Sequence, residues 1–353
     1  MTKRQLAHIA CLTAVAASGL CAASPSSAHQ SVHLVHAGES IQKAVDAAKP
    51  GDTVVISPGF YHESVRITVS GLKLRGSGAR STVIQPGTAK DNPCATAGNG
   101  ICVTGMDNSP VRKVTVSGLT LRGFSKQGLW ATGTDRLTIR AVTAEKNGQW
   151  GLSTERSART KMVHNTVKNN GDAGIFVANT VATEEGARDT LGTVIADNRL
   201  SGNRIGITVR RLRNLTVARN DVTGNCSAIN IVGDENTPRT GALTVRQNHV
   251  YANNKFCPKT ARLPFLQGSG IVLTGVEGAF VSGNRIEDNV GTSPLSGGIV
   301  LFKSLVGSPN ERNDVRDNVL LRNSPADLAN RDTGQGNTFR NNSCTISEPA
   351  GMC

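Results

Sequence analysis

Asn165-Thr166-Val167-Lys168-Asn169-Asn170-Gly171-Asp172-Ala173-Gly174-Ile175-Phe176-Val177 holds both halves of a repeat that runs through most of the chain. The second half, Gly174-Ile175-Phe176-Val177, recurs as Gly128-Leu129-Trp130-Ala131, Gly151-Leu152-Ser153-Thr154 and Gly206-Ile207-Thr208-Val209. It recurs again as Ala228-Ile229-Asn230-Ile231, Gly270-Ile271-Val272-Leu273 and Gly298-Ile299-Val300-Leu301. The steps from Gly128 to Gly151 and from Gly151 to Gly174 are 23 residues each. The first half, Asn165 with Asn170, returns as Asn198/Asn203, Asn220/Asn225, Asn248/Asn253, Asn284/Asn289, Asn318/Asn323 and Asn337/Asn342. An apolar residue stands two places after each first Asn.

A fixed period of this length marks a solenoid. The runs between Gly and Asn are short and rich in β-branched residues, which fits strands and not helices. Strands this brief bury little alone. Stacked coil on coil, they lay Val, Ile and Leu in inward ladders. The sequence therefore predicts an all-β chain, a single right-handed parallel β-helix. Asn is expected to take the left-handed conformation at the sharp corners and to hydrogen-bond along its column. The Asn and Gly-Ile columns read as scaffold. The Leu-x-x-Leu-x-Leu pattern of a leucine-rich repeat is absent.

The ends of the chain differ from the repeat. Lys3 and Arg4, an apolar stretch from Ile9 to Ala23 and Ser26-Ser27-Ala28 form a secretory signal pattern, with cleavage expected after Ala28. In Ile41-Gln42-Lys43-Ala44-Val45-Asp46-Ala47-Ala48, residues Ile41, Ala44, Val45 and Ala48 share one helical face. A short helix there would cap the open end of the core, with Thr53-Val54-Val55-Ile56 as the first strand. The organisation expected is a signal over 1–28, a lead with capping helix over 29–52, the β-helix over 53–343 and a tail over 344–353. No other stretch is long and apolar enough for a membrane helix. A secreted monomer is expected.

Composition narrows the partners. The formal charge is +13, and it becomes +11 once Lys3 and Arg4 leave with the signal. Such a charge points to an anionic partner, an acidic polysaccharide or cell-wall polymer. Aromatics are 3% of the chain, which argues against stacking platforms for nucleic acid. Of 8 Cys, Cys11 and Cys21 fall in the signal. The other six suit disulfides in an exported chain. Since only near neighbours touch in a solenoid, the expected pairs are Cys94–Cys102, Cys226–Cys257 and Cys344–Cys353.

Ile41-Gln42-x-Ala44-Val45-x-Ala47-Ala48, then Pro50-Gly51-Asp52-Thr53-Val54 and Pro58-Gly59-x-Tyr61-x-Glu63, resembles the N-terminal coil of pectin-lyase-like β-helix proteins, including the periplasmic NosD type. The resemblance covers about Gly38 to Asn342. It implies the fold, and a scaffold that carries lyases, hydrolases, epimerases and proteins without known activity. The Trp-x-Asp-His and Arg-x-Pro-x-x-Arg motifs of pectate lyases are missing, as are the polygalacturonase set and the Asp-Pro-His-Asp of alginate epimerases.

The repeat also serves as a ruler. Four and five places after the Gly of each Gly-Ile segment stand Glu155/Arg156 and Arg210/Arg211, with Asn179 between them. Asn179 opens an insert, Asn179–Thr190, that carries Glu184 and Asp189. Asp234 and Glu235 follow one coil after Arg210, and Asn254–Ser269 is a second insert. The expectation is a groove between the inserts. Glu155, Arg210 and Arg211 are the candidate catalytic groups. Arg156, Trp130, Trp150, Asn179, Glu184 and Asp189 are the candidate substrate contacts. Arg suits a sugar carboxylate through bidentate contact. A hydrolase would need two carboxylates about 5–9 Å apart, and Glu155 with Glu184, Asp189 or Asp234 is the pair to measure. His164, His249 and Tyr251 are further bases if the fold brings one close. Either no cofactor is needed, or Asp234 and Glu235 hold calcium. The same charges also read as salt bridges on a solvated ridge, and the Trp rings as packing under a loop. The function expected is action on, or binding of, an acidic polysaccharide in lyase- or hydrolase-like fashion. The alternative is a non-catalytic exported β-helix protein of the NosD kind.

Overall fold

The computed structural model describes residues 30–353; the expected signal over 1–28 lies outside the described residues. Three parallel sheets of 12, 10 and 11 strands run the length of the molecule. One coil shows the path: Ala173–Ala178 in the third sheet, Arg188–Ala196 in the first, Arg199–Ser201 in the second, then Ile205–Arg210 back in the third. Inward positions stack in register. Ile175 pairs with Ile207, then Ile229, Ile271 and Ile299, and all five are fully buried. Each such side chain contributes about 1.5–3 kcal/mol of burial, so a coil of three short strands is stable only between neighbours. The ladder of β-branched and Leu side chains predicted from the repeat is the core.

The Asn columns hydrogen-bond along their length as expected, but the column Asn is not the left-handed residue. The left-handed residue at each corner is the one before the Asn: His164, Asp197, Arg219 and Gln247 have φ between 52° and 58°. The outward corner residue takes the strained conformation and leaves its side chain in solvent. The next residue then points inward, and there the Asn side chain bridges coils. Asn165 Nδ2 donates to Asn198 Oδ1 at 2.9 Å and to the carbonyl of Ile139 at 3.0 Å. The same double contact runs through Asn198, Asn220, Asn248 and Asn284 to Asn318. A second ladder joins Asn147, Asn170, Asn203, Asn225, Asn253 and Asn289.

The capping helix is Ile41–Ala47, with Ser40 accepting from Lys43 N at its start and Ile41 and Val45 buried. Thr53–Ile56 is not the first strand, however. Val32–Val35 precedes it and pairs with it in the first sheet. Val35 is the only buried side chain of that strand, so its sequence carries no inward alternation to read. At the other end Ser347–Glu348 adds a strand to the third sheet beside Leu328–Ala329. The three disulfides are Cys94–Cys102, Cys226–Cys257 and Cys344–Cys353, as expected from spacing.

Asp52 fastens the leading strand. It accepts from Ser31 N at 2.8 Å and Lys49 N at 2.9 Å, and meets His33 Nε2 at 3.0 Å. The His33 contact first, then the Lys49 and Ser31 amides, lower its pKa from 3.8 to about 2. A lowered carboxylate pKa contributes stability that is complete above the unfolded value and is lost as pH falls through the folded one. Acid titration from about pH 4 to about pH 2 is therefore expected to release Val32–Val35, read as faster amide exchange there. Asp52→Asn should show that faster exchange at neutral pH, and unchanged exchange in the variant refutes the assignment.

Candidate functional site

The outer face of the third sheet forms the floor of a cleft, because chain insertions rise at both of its edges. Segments 179–187, 233–242 and 303–313 leave the sheet at one edge. Segment 254–268 enters at the other, ahead of Ser269–Thr274. The Cys226–Cys257 bridge and a 2.8 Å bond from Arg204 Nη1 to the carbonyl of Pro258 fasten this second wall. The first wall is tied within itself: Asn179 Nδ2 donates to the carbonyl of Gly186 at 2.9 Å, and Ala187 N to that of Pro238 at 2.6 Å. The space between the walls is about 600 Å³, within the range of small-ligand sites.

Arg210 and Arg211 diverge at the end of Ile205–Arg210. Arg211 has φ 52° and turns into the first wall. Its side chain is 3% exposed; Nε donates to Asp234 Oδ2, Nη1 to the carbonyl of Thr183 at 2.7 Å, and Nη2 lies 3.6 Å from Glu184. Arg210 instead extends over the floor, half-buried. Among the described residues its guanidinium has no hydrogen bond and no ion pair. Burial, and then the nearby Arg211 and Arg262, push its pKa below the ordinary arginine value, against the pull of Asp234 and Glu184. Arginine still keeps its proton, so a half-buried cation faces the cleft, and no carboxylate of the described residues forms an ion pair with it.

Two polar side chains lie beside it. Thr208 is buried in the floor, and among the described residues its hydroxyl has no partner. Asn230, next to Thr208 in register, accepts from Ser227 Oγ at 2.5 Å, and among the described residues its Nδ2 has no partner. Arg262 reaches the cleft from the second wall. The aromatic end of the floor is Trp150 stacked on Phe176, with centroids 4.0 Å apart and Trp150 Nε1 donating to Asp172 Oδ2 at 3.0 Å.

The cleft thus collects Arg210, Arg211, Trp150, Glu184, Asp234 and Glu235 from the sequence candidates. It does not collect the others. Glu155 shares an outward column with Arg210 through Ala178, two strand spacings or about 10 Å away. It accepts from Trp130 Nε1 at 3.1 Å. Arg156 pairs with Asp107 at 2.9 Å and Glu185 at 2.5 Å. Asn179 holds the base of the insert, and Asp189 accepts from Leu191 N in a local turn at 2.7 Å. His249 pairs with Glu287 at 2.9 Å and stacks on Tyr251 on the second sheet, and neither they nor His164 line the cleft. Asp234 is occupied by Arg211 and by Asn236, which donates twice to Oδ1 at 3.1 Å. Among the described residues no group of three or more His, Cys, Asp or Glu is placed to hold a metal ion.

Thr208, Asn230 and Arg262 escape the sequence reading. The first two stand two places after the start of their Gly-Ile or Ala-Ile segments, in an outward column that runs Trp130, Ser153 and Phe176 before them and Val272, Val300 and Ala329 after them. Two polar residues in succession, between Phe176 and Val272, are the available signal. Arg262 sits in a loop without register and gives none.

A right-handed β-helix region model matches residues 59–238 and 187–304. No curated protein matches the chain in sequence. Among solved structures, the A-module of the Azotobacter vinelandii mannuronan C-5 epimerase AlgE4 is similar with TM-score 0.57 and 17% identity, over 87% of this chain and 90% of that one. The AlgE6 A-module of the same organism gives 0.54 and 17%, over 87% and 90%. DFA-IIIase from Arthrobacter chlorophenolicus A6 gives 0.56 and 16%, over 85% and 80%. These likenesses establish the shared fold.

Proposed function

The chain belongs to the right-handed β-helix region family, and on that scaffold we propose that the cleft above the third sheet binds a segment of an acidic polysaccharide, Arg210 meeting a sugar carboxylate. One observation carries the reading: a half-buried guanidinium that no carboxylate of the described residues pairs with, between two walls, with the Thr208 hydroxyl and Asn230 amide beside it. A carboxylate completes the charge and hydroxyls of the same sugar suit the two polar groups. Mannuronan, in the names of the similar epimerase modules, is a polymer of this class. Three disulfides fit an oxidising compartment, and with the signal pattern they support secretion.

If the bound polymer is cleaved, elimination fits the cleft better than hydrolysis. Hydrolysis needs two carboxylates flanking the scissile bond, whereas Asp234 is taken by Arg211 and Asp172 by Trp150, which leaves Glu184 and Glu235, both on one wall. Elimination needs the substrate carboxylate neutralised, which Arg210 offers, and a base, for which Glu235 is an exposed carboxylate on the wall. The base takes the proton beside the carboxylate, the C–H electron pair becomes the new double bond, and the glycosidic C–O bond breaks with its oxygen taking a proton from water.

Arg210→Ala should weaken binding of short oligouronates at least ~10-fold by calorimetry, the loss of about one charged hydrogen-bonded contact. Ultraviolet absorbance of an unsaturated product reports cleavage in the same samples. If the wild type binds no acidic oligosaccharide, the proposal fails.

A further inference from the structure

The cleft leaves another charged surface unexplained. On the outer face of the first sheet, on the side away from the Asn corners, a groove of about 440 Å³ runs across three coils. Lys113, Arg136 and Arg159 occupy the same left-handed corner of successive coils, with φ 56°, 58° and 50°. The inward residues that follow them, Val114, Leu137 and Thr160, are buried. The next outward column pairs Thr115 with Thr138 and Thr138 with Lys161. The result is a ladder of cations, one coil spacing of about 4.8 Å apart, above a floor of hydroxyls. The adjoining coils have Gly71 and Gly192 at this corner, where the ladder stops.

One carboxylate organises the ladder without cancelling it. Asp135, 5% exposed, receives Arg159 at 2.6 Å, Arg136 at 3.6 Å and Arg112 at 3.8 Å. It fixes three guanidinium groups with a single negative charge. Among the described residues Lys113 and Lys161 have no ion pair, and both are exposed. A groove with several cations, one shielded acid and no aromatic ring is suited to a linear polyanion whose charges repeat along its length, and it lacks the stacking platforms that nucleic-acid bases require.

We propose that this groove is a second binding surface, distinct from the cleft, which holds a strand of acidic polysaccharide across the coils through its carboxylates. The choice of polymer rests on the reading of the cleft; the polyanion character rests on the ladder alone. The surface retains the protein on long chains, while the cleft engages a short segment.

The test uses the full-length mature protein and the double variant Lys113→Glu/Lys161→Glu, both positions being exposed, with a thermal melt to verify folding. The probes are long-chain alginate, a trimannuronate and single-stranded DNA. Alginate affinity at low salt should fall at least ~10-fold, and the slope of log affinity against log salt should flatten by about two, one for each cation removed. Trimannuronate affinity should stay within about twofold, because that ligand is short enough for the cleft. Unchanged alginate affinity and slope in the double variant overturn the proposal. So does DNA that displaces alginate from the wild type at equal charge concentration, which would make the partner a nucleic acid. If Arg210→Ala leaves trimannuronate binding intact, the cleft reading fails, and the alginate result still judges the groove separately.

Discussion

Asn203→Ala is expected to destabilise the protein by about 3–5 kcal/mol, more than any exposed substitution on the coils. Asn203 is fully buried. Its Oδ1 accepts from Asn170 N and Asn170 Nδ2, both at 3.0 Å, and its Nδ2 donates to the Val167 carbonyl and to Asn225 Oδ1, both at 3.1 Å. Alanine removes all four contacts, leaving the buried backbone amide of Asn170 without its acceptor and the Val167 carbonyl without its side-chain donor. Each buried orphan costs about 1–3 kcal/mol, and the vacated space adds to it. Because a solenoid is held together by nearest-neighbour terms, the damage should concentrate in coils 165–231 and appear there first as amide exchange. Urea unfolding measures the total. Asn169→Ala is the control: Asn169 is the exposed left-handed corner residue beside the ladder, so it should lose only about 1 kcal/mol. Equal losses in the two variants would refute the ladder as the source.

The same pair of residues shows what could be read from the chain. A period visible in letters gives registry, so the inward Ile and Val columns and the Asn columns are legible, and so is the alignment of Arg210 two coils past Glu155. Conformation within the corner is not legible. Asn169 and Asn170 are the same residue type, yet one bends the backbone outside and the other bridges coils inside. At the site, registry places side chains on a face but says nothing of how loops fold over it. The ruler therefore put Glu155 and Arg210 in one column, while the loops enclosed only the latter. Arg156 was aligned with Arg211 in the same way. The first is spent on Asp107 and Glu185, the second on Asp234, and these partners sit in irregular segments that carry no period. Thr208 and Asn230, by contrast, lie on the ruler and were recoverable from it.

Arg211 has the larger consequence of the two cleft arginines for structure. It was a candidate for chemistry, but at 3% exposure, with its donors directed at Asp234, Glu184 and the carbonyl of Thr183, it joins the loop 179–187 to the loop 233–242. Arg211→Ala should therefore cost about 3–5 kcal/mol, because it leaves the carboxylate of Asp234 in a largely enclosed site without its cation. The wall should loosen with it, and binding of short oligouronates should fall even though Arg210 is untouched. Removing both partners separates charge from shape. Arg211→Ala/Asp234→Ala takes away the stranded carboxylate and should recover at least half of the stability lost by the single variant, as expected for a coupled pair. Oligouronate binding should not recover, since neither alanine can span the two loops. Stability is read by urea unfolding and binding by calorimetry on the same three proteins. A double variant as unstable as Arg211→Ala would mean that the pair is not the tie. A single variant that keeps full affinity would mean that the wall does not depend on it, and Arg210 would then have to be positioned by the sheet alone.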